Sequence, residues 1–283
     1  MSSLDIQQLL QKYNISPNKV LGQNFLIDKN VVRSFVEASN ISKDDIVVEV
    51  GPGTGTITGE LAKKAGEVIA VEKDPGMVDI LKNELSSFSN VVILQEDVLK
   101  FKIENLELFR NSKFEIQNSN YKVVGAIPYY LTGRLFRHFL ENTQVRPVYI
   151  SVIIQKEVAE KIIAKPPRSN MLAISVQLYG EPKIIKKVSK NSFWPQPKVD
   201  SSILIVENIK KPDIDEKLFF KILHAGFSSP RKQLHVNLSS SLGVPKERTG
   251  EWLKNSNIDP AQRAQTLSVK EWVNIAKTFQ DYS

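Results

Sequence analysis

Three groups of residues in this chain have the types and the spacing to act on one ligand. The segment VVEVGPGTG, residues 47–55, leaves a β-branched run, passes through a glycine-rich turn and enters a helix near Thr56. Glycines let a backbone approach a ligand closely, and the start of a helix offers free amides to it. Glu72 closes the next β-branched run, 21 residues after Gly51, where a carboxylate can accept hydrogen bonds from ribose hydroxyls. Asp97 closes the third run and can accept from the exocyclic amine of an adenine. Together they fit a nucleoside-bearing cofactor at the carboxyl edge of an open α/β sheet. The glycines stand at Gly51, Gly53 and Gly55, whereas the dinucleotide fingerprint wants its third glycine where Thr56 sits, which counts against a nicotinamide cofactor.

Positioning such groups takes strands that end in register. Short β-branched runs at 46–50, 68–72, 91–95, 121–127 and 148–154 alternate with helix-patterned stretches. Parallel strands joined by helical crossovers read this way, because they are buried on both faces. Two further runs, 183–188 and 201–206, complete a seven-stranded, mostly parallel sheet and flank a Pro-rich loop, FWPQPKV, at 193–199. Beyond the KKPD at 210–213 the apolar spacing turns helical, through Leu218, Phe219, Ile222 and Leu223 and later Trp252, Leu253, Trp272, Val273 and Ala276. The expected organisation is an α/β domain over 1–211, opened by a short amphipathic helix, and a small α-helical domain over 212–283.

The 283 residues, 41% of them hydrophobic, can bury a substantial core. The formal charge is +7, and residues 122–211 hold fifteen Lys or Arg against six Asp or Glu, so the remainder is net negative by two. A basic surplus concentrated in one stretch points to an anionic partner. With no cysteine, disulfides and thiolate metal sites are excluded. His138, His224 and His235 have no metal-ligand spacing, so no metal is expected. No apolar run is long enough to span a bilayer, and the cytoplasm is the expected location.

The fourth run carries the most specific signal. GAIPYY, residues 125–130, resembles the Asn-Ile/Leu-Pro-Tyr motif of enzymes that methylate an adenine N6, with Ala126 in place of the asparagine. The chain as a whole resembles the ribosomal RNA adenine N6-dimethyltransferase family, in its small-subunit (KsgA-type) branch. The blocks KVLGQNFLID (19–28), EVGPGTGTIT (49–58), FWPQPKVDSS (193–202), FSSPRKQLHVNL (227–238) and RAQTLS (263–268) carry the likeness along nearly the full length. The resemblance implies a Rossmann-like methyltransferase domain that uses S-adenosyl-L-methionine to dimethylate two adjacent adenosines in a hairpin near the 3′ end of 16S ribosomal RNA. It assigns Asn24 and Leu26 to the methionine end of the cofactor, Gly51 to its binding loop, Glu72 to its ribose and Asp97 to its adenine, with Gly53, Lys73 and Val98 also among the cofactor-binding residues. Ala126, Ile127, Pro128 and Tyr129 fall at the catalytic motif, Ala126 also beside the cofactor. Tyr129 and Phe193 are expected to stack on a flipped-out base; Tyr130 is left open between stacking and packing.

Lys183, Lys186, Lys187, Lys190 and Lys198 bracket the Pro-rich loop, and Arg231 and Lys232 open a helix-like stretch in the second domain. Such a basic rim would grip phosphates without reading sequence. The expected partner is small-subunit ribosomal RNA or a pre-30S particle, bound by a monomer away from membranes. Two other readings stay open: a large-subunit adenine methyltransferase of the macrolide-resistance type, and an RNA-binding assembly factor whose chemistry is impaired at Ala126.

Overall fold

In the computed structural model of the chain, residues 3–18, 21–104 and 121–279 are described. Lys19 and Val20, at the head of one family-like block, lie outside them. The chain divides into two compact units, residues 1–159 with 181–210, and residues 160–180 with 211–283.

The first unit is built on a seven-stranded sheet in the order β4-β3-β2-β5-β6-β9-β7. Its strands are β2 (Ile46–Val50), β3 (Glu67–Glu72), β4 (Val91–Gln95), β5 (Tyr121–Ala126), β6 (Tyr149–Gln155), β7 (Glu181–Val188) and β9 (Ser201–Glu207). The five strands from β4 to β6 pair in parallel, and β9 inserts antiparallel between β6 and β7. All five residues of β2 are buried, as a central strand covered on both faces requires. The order reverses between β2 and β5, and this reversal opens a crevice at the carboxyl edge. Asp97 lies two residues past β4 rather than at its end, because the ladder bonds already run out at Glu96 N–H donating to the Glu72 carbonyl, 2.9 Å.

The helices of this unit follow from caps and apolar faces. α1 (Ser3–Lys12) buries Ile6 and Leu10 against Met77 and Ile80 of α4 (Pro75–Glu84). α2 (Lys29–Ala38) starts at Asp28, whose carboxylate accepts from the Asn30 and Val31 amides, and it turns Val31, Val32, Phe35 and Val36 inward. α3 (Thr56–Ala62) follows the glycine turn. A two-stranded pair stands outside the sheet: β1 (Phe25–Leu26) runs antiparallel to β8 (Phe193–Trp194), so the expected Pro-rich loop begins as a strand.

The second unit packs α7 (Met171–Gln177), α8 (Glu216–Gly226), α9 (Leu234–Leu242), α10 (Lys246–Asn255) and α11 (Val269–Thr278) around Phe219, Leu223, Trp252 and Trp272. Residues 160–180 differ from the expected division at 211. Ile174 of α7 is buried in this helical core with Met171 and Leu178 against it, which is why the segment groups there. Among the described residues no helix is long and apolar enough to cross a membrane.

Candidate active site

A crevice that opens to solvent lies at the reversal of strand order. One wall is the turn after β2. Gly51, Gly53 and Gly55 have φ of 64°, 58° and 78°, a left-handed path closed by Gly55 N–H donating to the Pro52 carbonyl. At Gly53 the demand is double, since a Cβ there would also stand 3.2 Å from the Phe25 ring.

Glu72 holds this turn from β3. Its carboxylate accepts from the Gly53 amide at 3.1 Å and from the Lys73 and Asp74 amides at 2.8 and 2.9 Å. Burial, at 7% exposure, pushes its pKa up against the pull of those three donors. A carboxylate has about four acceptor positions, so the clamp leaves room for one donor from the crevice.

Asp97 forms the next rim. Its carboxylate accepts from the Lys73 ammonium at 3.0 Å and from the Leu99 amide at 3.0 Å. Burial works to raise its pKa, but the lysine and the amide outweigh it, and the group sits below the ordinary carboxylate value. It therefore faces the crevice as an anion that can accept from an amine.

The opposite wall comes from two distant stretches joined by the β1–β8 pair. Leu26 sits across from Phe193, and Ile27 N–H donates to the Ser192 carbonyl at 2.9 Å. Asn24, just before β1, turns its amide onto the Gly22 carbonyl at 3.0 Å. The floor is the end of β5. Gly125 admits no side chain, because a Cβ would lie 2.5 Å from the Val50 carbonyl oxygen of β2. Ala126 ends the strand, and Ile127 N–H donates to the Ile153 carbonyl at 3.0 Å. Pro128 then leads into a single 3₁₀ turn, Tyr129–Leu131. The Tyr129 hydroxyl lies 3.5 Å from Ser201 Oγ of β9, and burial raises its pKa.

Thirteen sequence-derived positions line this one crevice: Asn24, Leu26, Gly51, Gly53, Glu72, Lys73, Asp97, Val98, Ala126, Ile127, Pro128, Tyr129 and Phe193. Sequence reasoning missed Ser201 and Arg134, which also line it, and left Tyr130, a third lining residue, undecided. A serine opening an edge-region strand and an arginine inside a helix carry no distinguishing pattern. The proposed phosphate-gripping residues lie elsewhere. Lys186 and Lys187 on β7, Lys190 in the following turn and Lys198 in the loop are exposed and none lines the crevice, while Lys186 bonds Ser34 Oγ at 2.9 Å. Lys183 is committed to Glu207 in an ion pair. Arg231 and Lys232, in the second unit, are exposed in the turn before α9, which begins only at Leu234.

The family described as ribosomal RNA adenine dimethylase matches residues 14–281. The chain is 37% identical over 284 residues to the ribosomal RNA small subunit methyltransferase A of Clostridium botulinum, covering 98% of this chain and 99% of that one. The protein of the same name from Dehalococcoides mccartyi is also 37% identical, over 276 residues, covering 96% and 92%. A solved dimethyladenosine transferase from Plasmodium falciparum superposes with a TM-score of 0.75 at 23% identity, covering 91% of this chain and 98% of that one, and shares the fold.

Proposed function

The chain belongs to the ribosomal RNA adenine dimethylase family, and from that premise we propose that it transfers methyl groups from S-adenosyl-L-methionine to the N6 atoms of two adjacent adenosines in a hairpin near the 3′ end of 16S ribosomal RNA. It acts as a monomer, in the cytoplasm, on the RNA or a pre-30S particle. The observation that carries this reading is the convergence of the glycine turn, Glu72, Asp97 and the 126–129 motif on one crevice at the sheet's reversal point.

The residues present fit the cofactor. The remaining acceptor position of Glu72 suits a ribose hydroxyl, with Lys73 beside it. Asp97, an anion on the rim with Val98 next to it, suits an adenine amine. Asn24, Leu26 and the turn at Gly51 and Gly53 suit the methionine end. When bound, the cofactor supplies an electrophilic methyl group on a sulfonium.

The protein's task is alignment, because the lone pair of an adenine amine is delocalised into its ring and is a poor nucleophile. Tyr129 and Phe193 offer faces between which an extruded base can stack. The Ile127 carbonyl can accept one N–H bond of the target amine and so aim the nitrogen. Ala126 cannot supply the second acceptor that an asparagine would. One oriented hydrogen bond of this kind is worth about 2.7 to 4 kcal/mol, or two to three orders of magnitude in rate. The enzyme is slow rather than inert. Lys186, Lys187, Lys190 and Lys198, with Arg231 and Lys232 of residues 212–283, hold RNA phosphates.

The test is radiolabelled methyl transfer to undermethylated small ribosomal subunits and, in parallel, to large-subunit RNA, followed by nucleoside mass spectrometry. N6,N6-dimethyladenosine in the 16S RNA is the expected product. Label in large-subunit RNA alone would move the chain to the other branch, and particle binding without transfer would make it an assembly factor.

A further inference from the structure

Tyr130 and Arg134 line the mouth of the crevice, and the transfer just described uses neither. Tyr130 keeps 54% of its surface exposed while lining the crevice, so its ring face is open to a ligand that enters there. Its ring edge faces Gly22, where an added Cβ would stand 3.8 Å away, and its backbone belongs to the 3₁₀ turn Tyr129–Leu131. Arg134 stands one helical turn on, in α5 (Thr132–Phe136), and is exposed. Its guanidinium forms no ion pair or hydrogen bond among the described residues, whereas Lys73 is committed to Asp97. The Arg134 charge acts on both members of that pair, which places it close to the Asp97 rim.

An open aromatic face beside an uncommitted guanidinium matches the two things a nucleotide presents, a base to stack on and a phosphodiester to pair with. The location decides which nucleotide. A base drawn in between Tyr129 and Phe193 brings the phosphate and the base of its chain neighbour to the rim.

We infer that Tyr130 and Arg134 form a second nucleotide subsite, which stacks the base adjacent to the target adenosine on Tyr130 and pairs its phosphate with Arg134. The inference rests on the RNA methyltransferase reading and deepens it. With two adjacent adenosines as targets, one base occupies the pocket while the other is parked at the mouth.

The probe is a 16S 3′-terminal hairpin RNA with 2-aminopurine in place of the nucleotide on either side of a target adenosine, titrated with the full-length protein. Stacking on Tyr130 gives a protein-dependent fluorescence change at one of the two positions. Tyr130→Phe is expected to retain the change, and Tyr130→Ala to lose it and bind about tenfold more weakly. Arg134→Gln is expected to flatten the plot of log affinity against log salt by about 0.7, the share of one single-strand phosphate contact. An unaltered fluorescence change in Tyr130→Ala with an unaltered slope in Arg134→Gln would overturn the subsite alone, provided the wild type binds the hairpin and transfers methyl groups to small subunits. Failure of the wild type to bind the hairpin and S-adenosylmethionine would overturn the methyltransferase reading with it.

Discussion

Ala126 is the residue at which this chain departs from its family's motif, and its surroundings say what the departure costs. It ends β5 with its side chain against the crevice, and the neighbouring Ile127 amide is already spent on the Ile153 carbonyl. An asparagine there would add an acceptor without disturbing that bond. Ala126→Asn is therefore expected to raise the single-turnover methylation rate by about two orders of magnitude. An unchanged or lower rate in a folded variant would mean that the pocket aligns the amine by another route. A second residue, Glu49, is buried in the central strand at 1% exposure, with Oε2 lacking a hydrogen-bond partner among the described residues. Burial, reinforced by the charge of Glu72, pushes its pKa from an ordinary 4.5 up to about 8. Between those values the native chain keeps a proton that the unfolded chain has lost. Stability then falls by about 1.4 kcal/mol per pH unit as pH rises through that window, and levels off above it. Glu49→Gln removes the titration, so denaturant unfolding should show the variant gaining on the wild type from pH 5 to pH 8 and no further. Parallel pH profiles for the two proteins would refute this assignment.

At the scale of elements, the seam between β2 and β5 sets the site, because the glycine turn leaves one strand and the 126–129 motif leaves the other. Gly125 lets them approach, and a methyl group there would meet the Val50 carbonyl, which is backbone and cannot rotate away. Gly125→Ala is expected to lower stability by about 1–3 kcal/mol and to slow methyl transfer by displacing Ala126 and Ile127. Gly133 in α5 is the control, since nothing lies within 4 Å of a Cβ there, and Gly133→Ala should stabilise by up to about 1 kcal/mol through helix propensity. Thermal melts of the two variants that shift in the same direction would contradict this account. The same seam shows what the sequence could reveal. Continuous β-branched runs marked the five parallel strands from β4 to β6, and Gly51, Glu72, Asp97 and the motif were visible at or just past the strand ends. The β1–β8 pair was not, because two residues per strand leave no periodicity, and Phe25–Leu26 meets partners at Phe193–Trp194 far along the chain. Ser201 and Arg134 were hidden for a related reason: their place in the crevice depends on an antiparallel insertion and a turn of helix, not on any local spacing. The grouping of residues 160–180 with the helical core depends likewise on where Ile174 packs.

At the scale of the whole molecule, the net charge of +7 admits two explanations of the lysines near the sheet edge. β7 is an edge strand, and lysines on an edge keep it from pairing with other chains. The same lysines could hold RNA. Lys183, tied to Glu207, fits the first role. Lys187, Lys190 and Lys198 are exposed without a carboxylate partner among the described residues, and Lys186 bonds only a serine hydroxyl. Replacing Lys186, Lys187, Lys190 and Lys198 together by glutamine separates the two roles. If the four hold phosphates, the salt dependence of RNA binding should flatten by about 0.7 to 0.9 per contact, close to 3 in all, with affinity falling most at low salt. The melting temperature should stay within a degree or two, since exposed side chains away from the core carry little stability. If they only guard the edge, the salt slope will be unchanged, and the variant will instead associate with itself as its concentration rises, visible by light scattering. A flattened slope without association assigns the basic surplus to RNA, because self-pairing of an edge strand does not depend on how many phosphates a ligand carries.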